Sequence, residues 1–185
     1  MNQPEHILRT LDGHLRQATR LILYGRAALA LGYPDAPTAF HTTMDVDAIL
    51  PENEMAAIEA DDGFWTAIEN TNHELQASGL YITHLFSDRQ LIIRPDWLDH
   101  LVANPMQGLR LLELQRPSTD DLILTKMMRI DPQDRGDIRF LLSHSHLNPD
   151  KLEHLLNAAN IPAIEEIKEA FQANSQWLRA LLTVD

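Results

Sequence analysis

The chain has 185 residues, of which 44% are hydrophobic, no cysteine, and a formal net charge of −12. That is enough apolar side chain for one domain, or for a compact domain with a helical extension, and it excludes disulfides, thiolate metal sites and cysteine nucleophiles. The acidic balance argues against broad, sequence-independent DNA or RNA binding, which needs a basic face to neutralise phosphates.

The first segment, MNQPEHILRTLDGH, lacks the charged-then-apolar form of a signal peptide. No apolar run approaches the ~20 residues that span a bilayer, so no membrane association is expected. With cysteine absent, the reading is a cytoplasmic protein. Residues 4–18 carry Ile7, Leu8, Leu11 and Leu15 at helical spacing, with Pro4 in the first turn. Residues 21–24 are a short apolar run stopped by Gly25, which predicts a buried strand. A short helix over 27–31 follows, ending at Gly32 with Pro34 just beyond. Residues 35–43 read as a loop. Residues 44–50 read as a strand, and period two puts Asp45 and Asp47 on one face of it.

Helical composition returns over 52–60 and 61–78. Residues 80–86 (LYITHLF) and 91–94 are expected to pair as a β-hairpin across the turn residues 87–90. A short amphipathic helix is expected over 96–102 and a strand over 109–114. Arg116-Pro117-Ser118 marks a subdomain boundary. Ser118 or Thr119 caps a helix running to about Arg129, and further helices start at Asp134, Asn148 and Pro162. The last of these has Ile164, Ile167, Phe171, Trp177 and Leu181 as its apolar positions. There is no internal repeat.

Three groups of residues can carry chemistry. Asp45 and Asp47 offer hard oxygen ligands suited to Mg²⁺, which keeps water and substrate phosphates in its remaining positions; the alternative is a solvated strand face. Gly25, between a strand and a helix, lets a ligand approach the backbone beside a helix N-terminus, which favours anions; the alternative is a glycine that only makes the turn. Lys126 and Arg129 lie three apart on one expected helix, and Asp134 and Asp137 three apart on the next. They form either a structural ion network, the commoner case, or a set that reaches a triphosphate and its metal. The histidines read as bland: His144 and His146 match no standard zinc spacing, and His84 reads as a core or strand-face polar residue rather than a ligand.

These residues carry a resemblance. The stretch 21–142 resembles the nucleotidyltransferase superfamily, with its polymerase-β-like fold, and in particular the AbiEii-like or DUF6036-like branch. There a glycine opens a helix, a loop follows, and a strand bears Asp-x-Asp after an Arg-x-Thr-x lead. His41-Thr42-Thr43-Met44-Asp45-Val46-Asp47 matches except at His41. The branch then has Lys, Arg and an acidic pair on helices, matched by Lys126, Arg129, Asp134 and Asp137. Arg26 stands where the family has Gly or Ser, and Thr83 and His84 stand on the strand where a third carboxylate is expected.

The resemblance implies an α+β fold, a mixed sheet flanked by helices with an all-helical C-terminal region. It divides the chain into an α/β core over 1–116 and a helical region over 117–185 that completes the cleft. It implies a Mg²⁺- or Mn²⁺-dependent nucleotidyltransferase that moves a nucleoside monophosphate from an NTP to a tRNA, protein or small-molecule acceptor. Asp45 and Asp47 would hold the metal. Gly25, Arg26, Thr43 and Arg129 would bind nucleotide, Lys126 would stabilise the leaving pyrophosphate, and Asp137 would act as base. A toxin–antitoxin or phage-defence setting, with a cognate antitoxin as partner, goes with that branch. The alternative is a catalytically lapsed member of the fold that serves as a binding or regulatory module, which Arg26 and the missing acid favour.

Overall fold

The computed structural model describes residues 2–183. The chain divides into two compact units, Met1–Ser87 with Val102–Arg116, and Asp88–Leu101 with Pro117–Asp185. Each is built around its own buried apolar set.

The first unit holds the whole sheet. Helix α1 (Gln3–His14) starts where the Asn2 side chain accepts from the Glu5 N–H at 2.8 Å, with Pro4 in the first turn, and it buries Ile7, Leu8 and Leu11. Strand β1 (Thr19–Tyr24) leads directly into α2 (Gly25–Gly32). The expected loop over 35–43 contains one helical turn, α3 (Thr38–His41), which forms because Phe40 can be buried there. Strand β2 (Asp45–Leu50) is followed by a 3₁₀ turn, α4 (Met55–Glu59) and α5 (Asp62–Leu75), whose N-terminus is capped by Asp61. Strands β3 (Tyr81–Ser87), β4 (Val102–Ala103) and β5 (Leu112–Arg116) complete a five-stranded sheet of order β3-β2-β1-β5-β4. The sheet is mixed: β1 runs antiparallel to β2 and parallel to β5, β2 runs parallel to β3, and β4 is antiparallel to β5. Helices α1 and α5 pack on each other, and α2 packs on β1 and β2.

The second unit is helical: α6 (Thr119–Thr125), α7 (Pro132–Leu142), α8 (Pro149–Ala158) and α9 (Glu165–Leu182). Three of the four begin at side-chain caps, Ser118, Asp131 and Asn148. The buried face of α9 is Ala170, Phe171, Asn174, Ser175 and Leu178, whereas Ile164 is exposed. Among the described residues, no helix is long and apolar enough to cross a membrane.

The expected hairpin of 80–86 with 91–94 does not form. β3 pairs in parallel with β2, and 91–94 belongs to the helical unit, where Ile93 makes an isolated bridge to Asn160. The reason is burial on every side. Leu91, Ile92 and Ile93 are 2%, 0% and 2% exposed, and a hairpin strand would leave one face wet. The capture is completed by Arg94, whose Nε and Nη2 donate to the two carboxylate oxygens of the fully buried Asp121 at 2.9 and 2.7 Å. Trp97 is buried just beyond, its indole N–H donating to Asp88 at 3.1 Å. The expected helix over 96–102 is only a 3₁₀ turn, Trp97–His100, because Val102 leaves to form β4, paired with Arg116 of β5.

β5 starts later than the sequence suggests because Asp12 fixes the chain before it. One carboxylate accepts from the backbone N–H groups of Arg110, Leu111 and Leu112, at 3.1, 2.8 and 2.8 Å on its Oδ1. Burial raises the Asp12 pKa, but these backbone donors more than offset it and hold the carboxyl below its usual value of 3.8. A depressed carboxyl stabilises the fold above the unfolded pKa and loses that contribution as pH falls through the folded one. Asp12→Ala is expected to destabilise the protein by about 2–4 kcal/mol, since several donors lose their acceptor at once. Urea titrations of both forms should show this gap at pH 7 and show it narrowing as pH drops below about 4.

Candidate functional site

Asp45 and Asp47 open β2, on the face that alternation assigns them. The register places Asp47 opposite Tyr24, the last residue of β1, so the residue that follows, Gly25, turns beside the Asp47 side chain. Gly25 has φ +65°, a conformation that L side chains rarely adopt. A Cβ built there would also stand 3.1 Å from Asp47 Oδ2. The glycine therefore does two things: it makes the turn into α2, and it leaves room for a carboxylate against the backbone.

The other carboxylate oxygen is held by β3. Pairing of β2 with β3 runs Val46↔Ile82 and then Ala48↔Leu85, so Thr83 and His84 together oppose Asp47. This bulge lets two consecutive residues reach the same partner, which a regular strand forbids. Thr83 Oγ1 donates to Asp47 Oδ1 at 3.0 Å, and His84 Nδ1 lies 3.0 Å from the same oxygen. Asp45 has its own neighbour: Thr43 Oγ1 donates to Asp45 Oδ1 at 2.7 Å.

Burial, then the nearby Asp45 carboxylate, push the Asp47 pKa above its usual value, while Thr83 and His84 only partly counter this. The site thus concentrates negative charge where water does not fully screen it, and Asp47 is only 20% exposed. Ligand atoms of Asp45, Asp47 and His84 all lie within 4.8 Å of one another. Two half-buried carboxylates and an exposed imidazole suit a divalent cation.

Helix α2 begins at this point without a side-chain cap on Tyr24 and without an acidic residue in its first turn. Its first N–H groups and its dipole are oriented to receive an anion. Arg26 is half-buried, with its guanidinium 5.3 Å over the Phe40 ring, so α3 holds it in place.

The helical unit assembles the other expected set. Lys126 Nζ donates to Asp134 Oδ1 at 2.9 Å and to Asp137 Oδ2 at 2.8 Å, and both carboxylates are almost fully buried. Arg129 meets the second oxygen of Asp134 through Nε at 3.0 Å and Nη2 at 2.9 Å. The expected helix to Arg129 is not continuous. α6 ends at Thr125, Lys126–Met128 is a 3₁₀ turn, and Arg129 is extended. The Asn174 side chain of α9 explains the break, donating to the carbonyls of Met127 and Arg129 at 3.2 and 2.9 Å. Lys126 and Arg129 meet through Asp134 rather than by sharing a helix face.

His84 is the site residue that the sequence pattern does not single out. Its role depends on a one-residue register shift in β3, which no periodicity in LYITHLF reveals. The only signal was negative: a strand neighbouring Asp-x-Asp that carries a histidine where an acid was expected.

A mixed sheet with a glycine turn from β1 into α2 and paired aspartates on the neighbouring strand defines a nucleotidyltransferase-like α+β protein. The chain belongs to the family described as "Nucleotidyltransferase of unknown function (DUF6036)", whose sequence pattern matches residues 5–180. No match was found among curated proteins, and none among solved structures.

The charge at Asp47 costs stability when nothing neutralises it. Asp47→Asn removes that charge while keeping an acceptor oxygen for Thr83. Calorimetry in EDTA at pH 7 is expected to show a higher Tm for Asp47→Asn than for wild type, the usual sign of a functional carboxylate held at a cost to the fold. A lower Tm would mean that the carboxylate is there for structure.

Proposed function

We propose that this protein is a divalent-cation-dependent nucleotidyltransferase that moves a nucleoside monophosphate from an NTP to an acceptor hydroxyl. The observation that carries the proposal is Asp47: a partly buried carboxylate beside Asp45, with one oxygen against Gly25 at the uncapped start of α2. On this reading the metal ligands and the N–H groups that bind phosphate are neighbours, as transfer from an NTP requires.

In this reading Asp45 and Asp47 hold Mg²⁺ or Mn²⁺, with Thr43 fixing the Asp45 rotamer. The chemistry that a bound cation supplies is screening of phosphate charge and alignment of the attack. The first N–H groups of α2, starting at Gly25, bind phosphate oxygens, and Arg26 adds a fixed positive charge next to them. A bond forms between the acceptor oxygen and the α-phosphorus, the bond to the pyrophosphate oxygen breaks, and pyrophosphate leaves with the electron pair. By the resemblance, Lys126 and Arg129 would meet the charge on pyrophosphate and Asp137 would take the acceptor's proton. All three already have ionic partners within the helical unit, so their part in the reaction needs its own test.

The acceptor is best sought among proteins and small molecules before tRNA. Arg20 is paired with Glu54 and Arg129 with Asp134, and the chain carries −12 overall, which disfavours a polyanionic acceptor. A toxin–antitoxin or phage-defence role with a cognate antitoxin is the biological setting that goes with this reading.

The test is incubation with each labelled NTP, Mg²⁺ or Mn²⁺, and bulk protein or tRNA. Wild type is expected to transfer label, and Asp45→Ala with Asp47→Ala to lose at least about 100-fold of it. Lys126→Met is expected to lower activity more than its loss of Tm accounts for at the assay temperature. Absence of transfer, self-labelling and NTP-induced thermal shift with every nucleotide would sink the enzyme reading and leave a lapsed, binding-only member of the fold.

A further inference from the structure

We propose that His84 is a direct ligand of the cation held by Asp45 and Asp47, and that it tunes the site toward a first-row transition cation such as Mn²⁺ or Co²⁺ rather than Mg²⁺. This rests on the reading of Asp45 and Asp47 as a cation site and goes one step further, to which cation the site selects and why.

The bulge in β3 is the first observation. In a regular strand Thr83 and His84 point to opposite faces. Here the extra residue sets both against Asp47, and the imidazole stands 3.0 Å from Asp47 Oδ1. A bulge beside a site is a device for re-aiming a side chain, and the side chain re-aimed is the one with a nitrogen to offer.

The second observation is the way the ring is held. His84 lies parallel to Phe86, with ring centroids 5.1 Å apart and planes 2° apart. Phe86 in turn meets Tyr24 edge-on at 6.1 Å. Tyr24 immediately precedes Gly25, so this aromatic run ties the imidazole to the same turn that cradles Asp47. The stack limits the orientations of an otherwise exposed imidazole, which suits a ligand whose lone pair has one direction.

The third observation is spacing. The ligand atoms of Asp45, Asp47 and His84 lie within 4.8 Å of one another, close enough for one divalent ion to draw all three into its coordination shell with a small side-chain adjustment. The donor set is then two carboxylates and one imidazole. Mg²⁺ demands oxygen and gives up water reluctantly, while imidazole suits later divalent cations and its preference rises along the first row. Two carboxylates alone would leave the choice to metal supply. The third ligand biases it.

The ligand can be seen directly. In wild type loaded with Mn²⁺, electron spin echo modulation is expected to show coupling to an imidazole nitrogen, and His84→Asn is expected to abolish it. By calorimetric titration, His84→Asn is expected to weaken Mn²⁺ and Co²⁺ binding about 10-fold or more while changing Mg²⁺ binding by less than about twofold. His84→Asp is expected to restore tight binding with Mg²⁺ gaining on Mn²⁺. Nitrogen coupling is read on wild type, so it stands even if a variant folds poorly. Mn²⁺ binding without nitrogen coupling, or a Mn²⁺ to Mg²⁺ ratio unmoved by His84→Asn, overturns this inference and leaves the Asp45–Asp47 site intact. If wild type binds none of the three cations, the underlying reading fails instead.

Discussion

The carboxylate of Asp47 is the point on which the sheet unit turns. One oxygen lies where only a glycine can pass, at a turn with positive φ. The other is met by Thr83 and His84 from a strand that has to bulge to bring both. β1, β2, β3 and the start of α2 are thus placed by reference to one side chain that is costly to keep charged. Stability alone would replace it with something neutral. That it is paired with a second carboxylate two residues away is the physical reason for reading the site as one completed by a cation and phosphates.

The helical unit is organised by ions of a different kind. Arg94 grips the buried Asp121 with two donors and so takes 91–97 away from the sheet. Lys126 sits between Asp134 and Asp137, and Asn174 ties the intervening carbonyls to α9. Breaking one partner of such a buried pair is far more costly than the pair itself is stabilising, which makes these contacts specifiers of one arrangement. It also gives Lys126, Arg129 and Asp137 a structural duty that any catalytic duty has to share.

Much of this was legible in the residues. Gly25 after an apolar run, Pro34 after Gly32, and Ser118 and Asn148 before helices mark element ends by local chemistry, and the structure follows them. The alternation in β2 placed Asp45 and Asp47 on one face. Long-range effects were not legible. The run 91–94 looks like a strand in isolation, and only Asp121, far along the chain, shows that it is core for another unit. The late start of β5 depends on Asp12, about a hundred residues away. His84 reads as ordinary until the register of β3 is known, since a one-residue shift reverses which face a side chain joins.

The central claim is that Asp45 and Asp47 hold the cation through which an NTP is bound. It is tested most directly by titrating a non-hydrolysable NTP analogue into wild type and Asp45→Asn, each with Mn²⁺ and with EDTA. The account predicts saturable binding in wild type that requires Mn²⁺ and is lost in Asp45→Asn. Binding of equal strength in EDTA, or unchanged in Asp45→Asn, would contradict it.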